Sequence, residues 1–142
     1  MTRYSLRAAT MAALVMAFGG AFVGPAHADD TAASSADKHL RPGFDTCMDA
    51  SEGVTVKMNS CLAKEFDYQD KRLNTAYQAL RKSLSDKDRM ALRDEERAWI
   101  KARDTKCAPD KDGGTAALLV SGDCALTQTA ERATELEGRL KK

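Results

Sequence analysis

The chain is poor in the groups from which catalytic and metal sites are built. It has two histidines, and one of them, His27, falls in an N-terminal segment expected to be removed. The other, His39, lies in a polar tail. No two of the four cysteines stand closer than Cys47 and Cys61, so the C-x-x-C pairs typical of zinc sites are missing. A hydrolase needs an activated nucleophile, a tuned acid/base pair or a metal. With its thiols oxidised the chain offers no such nucleophile, and its carboxylates are interleaved with Lys and Arg on solvated helix faces. The sequence therefore reads as a non-enzyme with no metal and no cofactor.

A long hydrophobic run is also lacking. Ala8 to Val23 is apolar for 16 residues but interrupted by Gly19 and Gly20, short of the roughly 20 residues that span a bilayer. Arg3 and Arg7 precede it and Pro25-Ala26-His27-Ala28 follows, which is the pattern of a secretory signal peptide over residues 1–28 cut after Ala28. The mature protein is expected to be exported, periplasmic or secreted, without membrane insertion. Nor is there an excess of positive charge. Removing the signal takes away two of 22 basic side chains and none of 21 acidic ones, leaving 20 against 21. A net charge of minus one gives no electrostatic footprint for nucleic acid.

Aromatic residues make up only 6% of the chain, with a single Trp, so the core is small for one domain. Cysteine is what is present instead. Cys47, Cys61, Cys107 and Cys124 all follow the signal, and an even number in a short exported chain implies two disulfides. Staples of this kind supply stability that a small core does not.

Residues 29–43 are rich in Ala, Ser, Thr and Asp, end in Arg41-Pro42-Gly43, and are expected to form a flexible leader before a helical domain over 44–142. From Thr55, the positions Leu62, Phe66, Leu73, Tyr77, Leu80 and Leu84 recur at steps of four, seven, four, three and four. They define one face of a helix of about 28 residues, with Gln69 at the margin of the stripe and Asp67–Lys71 as an exposed pair. Ser85 with Asp88 resembles a capping box and starts a second helix near Asp86 that runs to about Lys106. Two long helices joined so tightly fold back as an antiparallel hairpin. The breaker cluster from Ala108 to Thr115 follows. Leu126, Ala133, Leu136 and Leu140 then mark a third helix, with Glu135–Arg139 and Glu137–Lys141 as exposed pairs. No strand-like alternation occurs. The expected fold is all-α, a small disulfide-stapled three-helix bundle built on a long helical hairpin.

A turn near Leu84 places Cys61 and Cys107 each 23 residues away, facing one another at the open end. Joining them would close a loop of about 46 residues and stabilise by roughly 4 kcal/mol, leaving Cys47 for Cys124. This pairing is favoured. All four cysteines gather at that pole, so the sequential pairing of Cys47 with Cys61 and Cys107 with Cys124 is geometrically open as well.

Cys61 with Leu73-Asn74-Thr75-Ala76-Tyr77, the run Glu96-Arg97-Ala98-Trp99 to Arg103-Asp104-Thr105-Lys106-Cys107, Gly113-Gly114-Thr115, and Cys124 with Thr129 and Arg132 together resemble the LprI-like lysozyme-inhibitor family. That family is similar in its L-N-x-x-Y, Q-R-A-W-x-x-x-R-D-x-x-C and C-x-x-x-x-T-x-x-R elements. Glu96 stands where the family usually has Gln, and Ala102 where it usually has an aromatic residue. Leu73, Tyr77 and Trp99 read as core by spacing and bulk. Arg103, next to Asp104, reads as a cap for C-terminal carbonyls or a partner for an acid such as Glu65, and Asn74 as a hydrogen bond between helices.

The resemblance implies a protein partner, a lysozyme, whose cleft carries two catalytic carboxylates. The loop Asp110, Lys111, Asp112, Gly113, Gly114 and Thr115 is the candidate partner-binding element, with Lys111 facing a cleft carboxylate and the N–H groups of Gly113 and Gly114 as donors. A non-catalytic periplasmic adaptor or immunity module of the cell envelope is the alternative.

Overall fold

The computed structural model describes residues 38–141; the expected signal peptide and most of the expected leader lie outside them. The described residues are helical throughout, in four elements: α1 (Pro42–Asp49), α2 (Thr55–Ser83), α3 (Asp86–Lys106) and α4 (Gly114–Arg139). Among them no helix is long and apolar enough to cross a membrane.

The expected three-helix count misses α1. Pro42 opens that helix at a position where its absent N–H costs nothing, and Phe44 turns inward beside Leu40. Packed structure therefore begins before residue 43, where the leader was expected to end. Leu40 is buried, Arg41 meets Glu65 at 2.8 Å and Lys38 meets Asp123 at 2.8 Å. One large aliphatic side chain and two ion pairs fix the stretch that composition alone marked as loose. A turn with Glu52 and Gly53 at positive φ then reverses the chain into α2.

The second and third expected boundaries agree closely. Ser85 Oγ accepts from the Asp88 N–H at 3.3 Å, the cap anticipated for α3. Packing departs from the expected hairpin, however. The chief partner of α2 is α4, while α3 touches α4 more lightly. The cause lies in side-chain size and polarity. Helix α4 presents Leu126, Thr129, Ala130, Ala133 and Leu136, none with any exposed surface, and its small members let two backbones approach. Helix α3 buries only Leu92 and Glu96.

The core has two layers along the α2–α4 seam. Leu40, Phe44, Cys61, Leu62, Leu126 and Ala130 form one at the disulfide end. Leu73, Ala76, Leu80, Leu92, Ala133 and Leu136 form the other, with Tyr77, Leu84 and Trp99 against its edge.

The favoured cysteine pairing is overturned. Cys47 bonds Cys61 and Cys107 bonds Cys124, with Cα separations of 5.8 and 5.5 Å. Because α1 folds directly back on α2, Cys47 reaches Cys61 before any contact with α3 is needed. The short loop after Lys106 likewise brings α4 under Cys107.

Candidate functional site

Five of the motif residues that carry the family resemblance, Glu96, Trp99, Arg103, Thr129 and Arg132, meet where α3 approaches α4. Helix α3 places Glu95, Glu96, Trp99 and Arg103 on its inner side; helix α4 supplies Thr129, Arg132 and Arg139. Arg132 is buried and donates to both neighbours on α3, through Nε to Glu96 Oε1 at 2.9 Å and through Nη2 to Glu95 Oε1 at 2.6 Å. A second, shorter hydrogen bond links its Nη2 to Glu96, and its Nη1 donates to Glu135 at 2.6 Å. Arg139 reaches the same Glu95 oxygen at 2.9 Å. Glu96 is itself buried, and its other oxygen, Oε2, is enclosed without a hydrogen-bond partner.

Two guanidinium groups lie over the Trp99 ring, Arg103 at 5.0 Å and Arg132 at 5.9 Å from its centroid. Arg103 also donates to Thr129 Oγ1 at 3.3 Å and to Asp104 at 2.8 Å. It neither caps the helix nor pairs with Glu65, whose partner is Arg41. These residues form a clasp that fixes α3 to α4. The exposed pairs expected on α4 are likewise replaced, because Glu135 and Arg139 join this clasp and Glu137 pairs with Arg72 at 2.6 Å.

Burial opposes the charge on Arg132, but its hydrogen bonds to Glu96, Glu95 and Glu135 outweigh burial and raise its pKa further above the ordinary range. Burial also acts to raise the Glu95 carboxyl, and the hydrogen bonds from Arg132 and Arg139 overcome it, leaving the group below its usual 4.5. A carboxyl depressed on folding stabilises the folded state fully above its unfolded value and loses that contribution as pH falls through the folded value. Acid titration of the melting temperature is therefore expected to show a decline that begins near pH 4.5. Glu95→Gln should flatten that decline, and an unchanged acid limb in this variant would count against the clasp.

A second polar track, not anticipated from sequence, runs through the α2–α4 seam. Gln69 has no exposed surface and donates to Glu65 at 2.7 Å. Arg72 donates to Gln69 at 2.6 Å and to Glu137 at 2.6 Å, and that bond to Glu137 chiefly holds its pKa above the ordinary value. Glu65, Gln69 and Leu73 at successive steps of four were the available signal. Asn74, expected to bridge helices, is exposed and bonds Asp70 within α2 at 2.8 Å.

The candidate loop lies at the disulfide-bearing end, between α3 and α4. Every residue from Ala108 to Ala116 is exposed. Asp110 organises it: its carboxylate accepts from the Asp112 N–H at 3.0 Å and its carbonyl from the Gly113 N–H at 3.3 Å. The Gly113 donor is thus used within the turn. Those of Gly114, Thr115 and Ala116 open α4 with no side-chain cap. Gly114 has φ +58°, and a Cβ on Gly113 would fall 2.5 Å from the Ala117 Cβ, so both glycines are required by the turn. Beside the loop, a cavity of about 400 Å³ is lined by residues including Pro109, Ala117, Val120 and Cys124. Leu118 and Val120 expose apolar surface close by. No group of three or more metal-binding side chains is gathered among the described residues.

Neither curated proteins nor solved structures yield a match to the chain. The family model described as Lysozyme inhibitor LprI matches residues 47–136. That span runs from the first cysteine to the last buried leucine of α4 and takes in both disulfides, the exposed loop and the clasp apart from Arg139. With well over half its length matched, the chain belongs to the LprI lysozyme-inhibitor family.

Proposed function

We propose that the protein is exported and acts as a lysozyme inhibitor, binding the enzyme and blocking its activity without chemistry of its own. The observation that carries this reading is the family match over residues 47–136. Two disulfides in a small helical domain support an oxidising destination. The contact surface is the Asp110–Thr115 loop. Its position between Cys107 and Cys124 keeps it pre-organised, which limits the ordering cost of binding. Lys111 carries the cation that approaches a carboxylate of the cleft, and the free N–H groups at the start of α4 supply donors.

Titration of the purified, oxidised chain into cell-wall hydrolysis assays with several lysozyme classes is expected to suppress at least one of them at a near-stoichiometric ratio. Lys111→Glu should weaken that inhibition about tenfold or more by placing like charges together, with the melting temperature unchanged. Full hydrolysis at high molar excess in every class would reject the reading. Inhibition that is indifferent to Lys111→Glu and to Gly113→Ala would move the contact surface away from the loop.

A further inference from the structure

Lys57, Lys64, Lys71 and Lys82 follow one another along the solvent side of α2, and all four are exposed. The first three recur every seventh residue, about 10.5 Å apart along the axis, and a heptad step drifts by only about 20°, so the row stays on one face. None of the four forms an ion pair among the described residues; the Asp67–Lys71 pair expected from spacing is not closed. Arg41, Arg72, Arg103, Arg132 and Arg139, by contrast, each hold a carboxylate.

Charge is also segregated along the chain. Helix α2 has six basic side chains against three acidic ones, while the rest of residues 29–142 has fourteen against eighteen. Of the three acids, Glu65 is buried against Arg41 and Asp70 is engaged by Asn74. Asp67, at the edge of the row, offsets one of the lysines. A shallow depression of about 550 Å³ lies between Lys71 and Lys82, bordered by Asn74, Thr75 and Gln78.

We propose that this face of α2 binds a linear, carboxylate-bearing polysaccharide laid along the helix. Four unpaired ammonium groups in a line match a linear polyanion. The exposed Gln78 between Lys71 and Lys82 adds an amide for a partner rich in hydroxyls, whereas the Asn74 amide and the Thr75 hydroxyl already donate within α2. Lysine is a compact point charge on a flexible stem, suited to charges spaced along a chain rather than to the fixed geometry that the arginine fork imposes. The row carries no free aromatic face for base stacking, since Tyr68 beside it already has the Arg41 guanidinium 4.0 Å from its ring centroid. It also lacks the apolar side chains that an interfacial helix buries in a bilayer.

The test titrates the disulfide-bonded chain into fluorescein-labelled polygalacturonate, with phosphatidylglycerol vesicles and a single-stranded oligonucleotide as competing classes. The expected result is binding to polygalacturonate that weakens on the order of tenfold between about 50 and 200 mM salt. It should be lost in the variant K57Q/K64Q/K71Q/K82Q and kept in Lys87→Gln/Lys101→Gln, which alters α3 instead. Circular dichroism checks the fold of each variant. Should the quadruple change fail to fold, Lys64→Glu alone is expected to weaken binding several-fold. Four results would overturn the proposal: no binding at low salt, undiminished binding by the lysine variants, equal loss in the α3 control, or tighter binding to vesicles or oligonucleotide than to the polysaccharide.

Discussion

Reduction of both disulfides is expected to remove about 6 kcal/mol of stability, with about 3 kcal/mol from each loop on the chain-entropy relation. The closed segments span 14 and 17 residues and do not overlap, so their effects on the unfolded chain add. That loss is comparable with the whole folding free energy of a domain this small. Thermal melts followed by circular dichroism should show the oxidised chain folded and the reduced chain largely unfolded at the same temperature. Equal melting temperatures in the two states would sink the prediction. The pairing itself has a separate check. Trypsin acting at Arg81 or Lys82 cuts between the two loops, so the halves should separate without reductant, whereas a bond from Cys61 to Cys107 would hold them together.

Arg132→Met is expected to cost about 3–5 kcal/mol, the range for removing one partner of a buried ion pair. The substitution preserves much of the side-chain length but leaves the Glu96 carboxylate enclosed with no counter-charge. Glu96→Gln alone should stay within about 1 kcal/mol of the parent, because an amide oxygen still accepts from Arg132 and a neutral group is less costly to bury. Combining the two should therefore recover a large part of the loss. Chemical denaturation of the single and double variants measures that coupling. Additive effects would mean that Arg132 and Glu96 do not act as a pair.

Most of the secondary structure was legible in the sequence. Apolar spacing marks α2, and Ser85 with Asp88 marks the start of α3, because both signals are local. What escaped is what depends on tertiary neighbours. Glu65 and Gln69 interrupt the apolar stripe, so the buried face of α2 looks as if it runs through Phe66, yet these two polar residues are the more deeply enclosed. Their burial becomes reasonable only once Arg41 and Arg72 are placed beside them. The short helix α1 gives too little periodicity to stand out, and without it the choice between the two open cysteine pairings could not be made. At the candidate loop, exposure follows from glycine and charge, but the use of the Gly113 N–H inside the turn required backbone geometry. Glu96, Trp99, Arg103, Thr129 and Arg132 were recognisable as motif residues, while their joint task of attaching α3 to α4, and the part of Glu95, Glu135 and Arg139 in it, was not.

The order in which the cysteines pair bears on how the molecule is made. The cysteines bond in consecutive pairs, first with second and third with fourth, so a polypeptide entering an oxidising compartment from its N-terminus can close the Cys47–Cys61 bond before Cys107 arrives. Oxidation in order of emergence then gives the native connectivity directly. Oxidation in that order is expected to need an oxidant but no isomerase, because it leaves no wrong bond for the slow reshuffling that delays many disulfide-rich proteins.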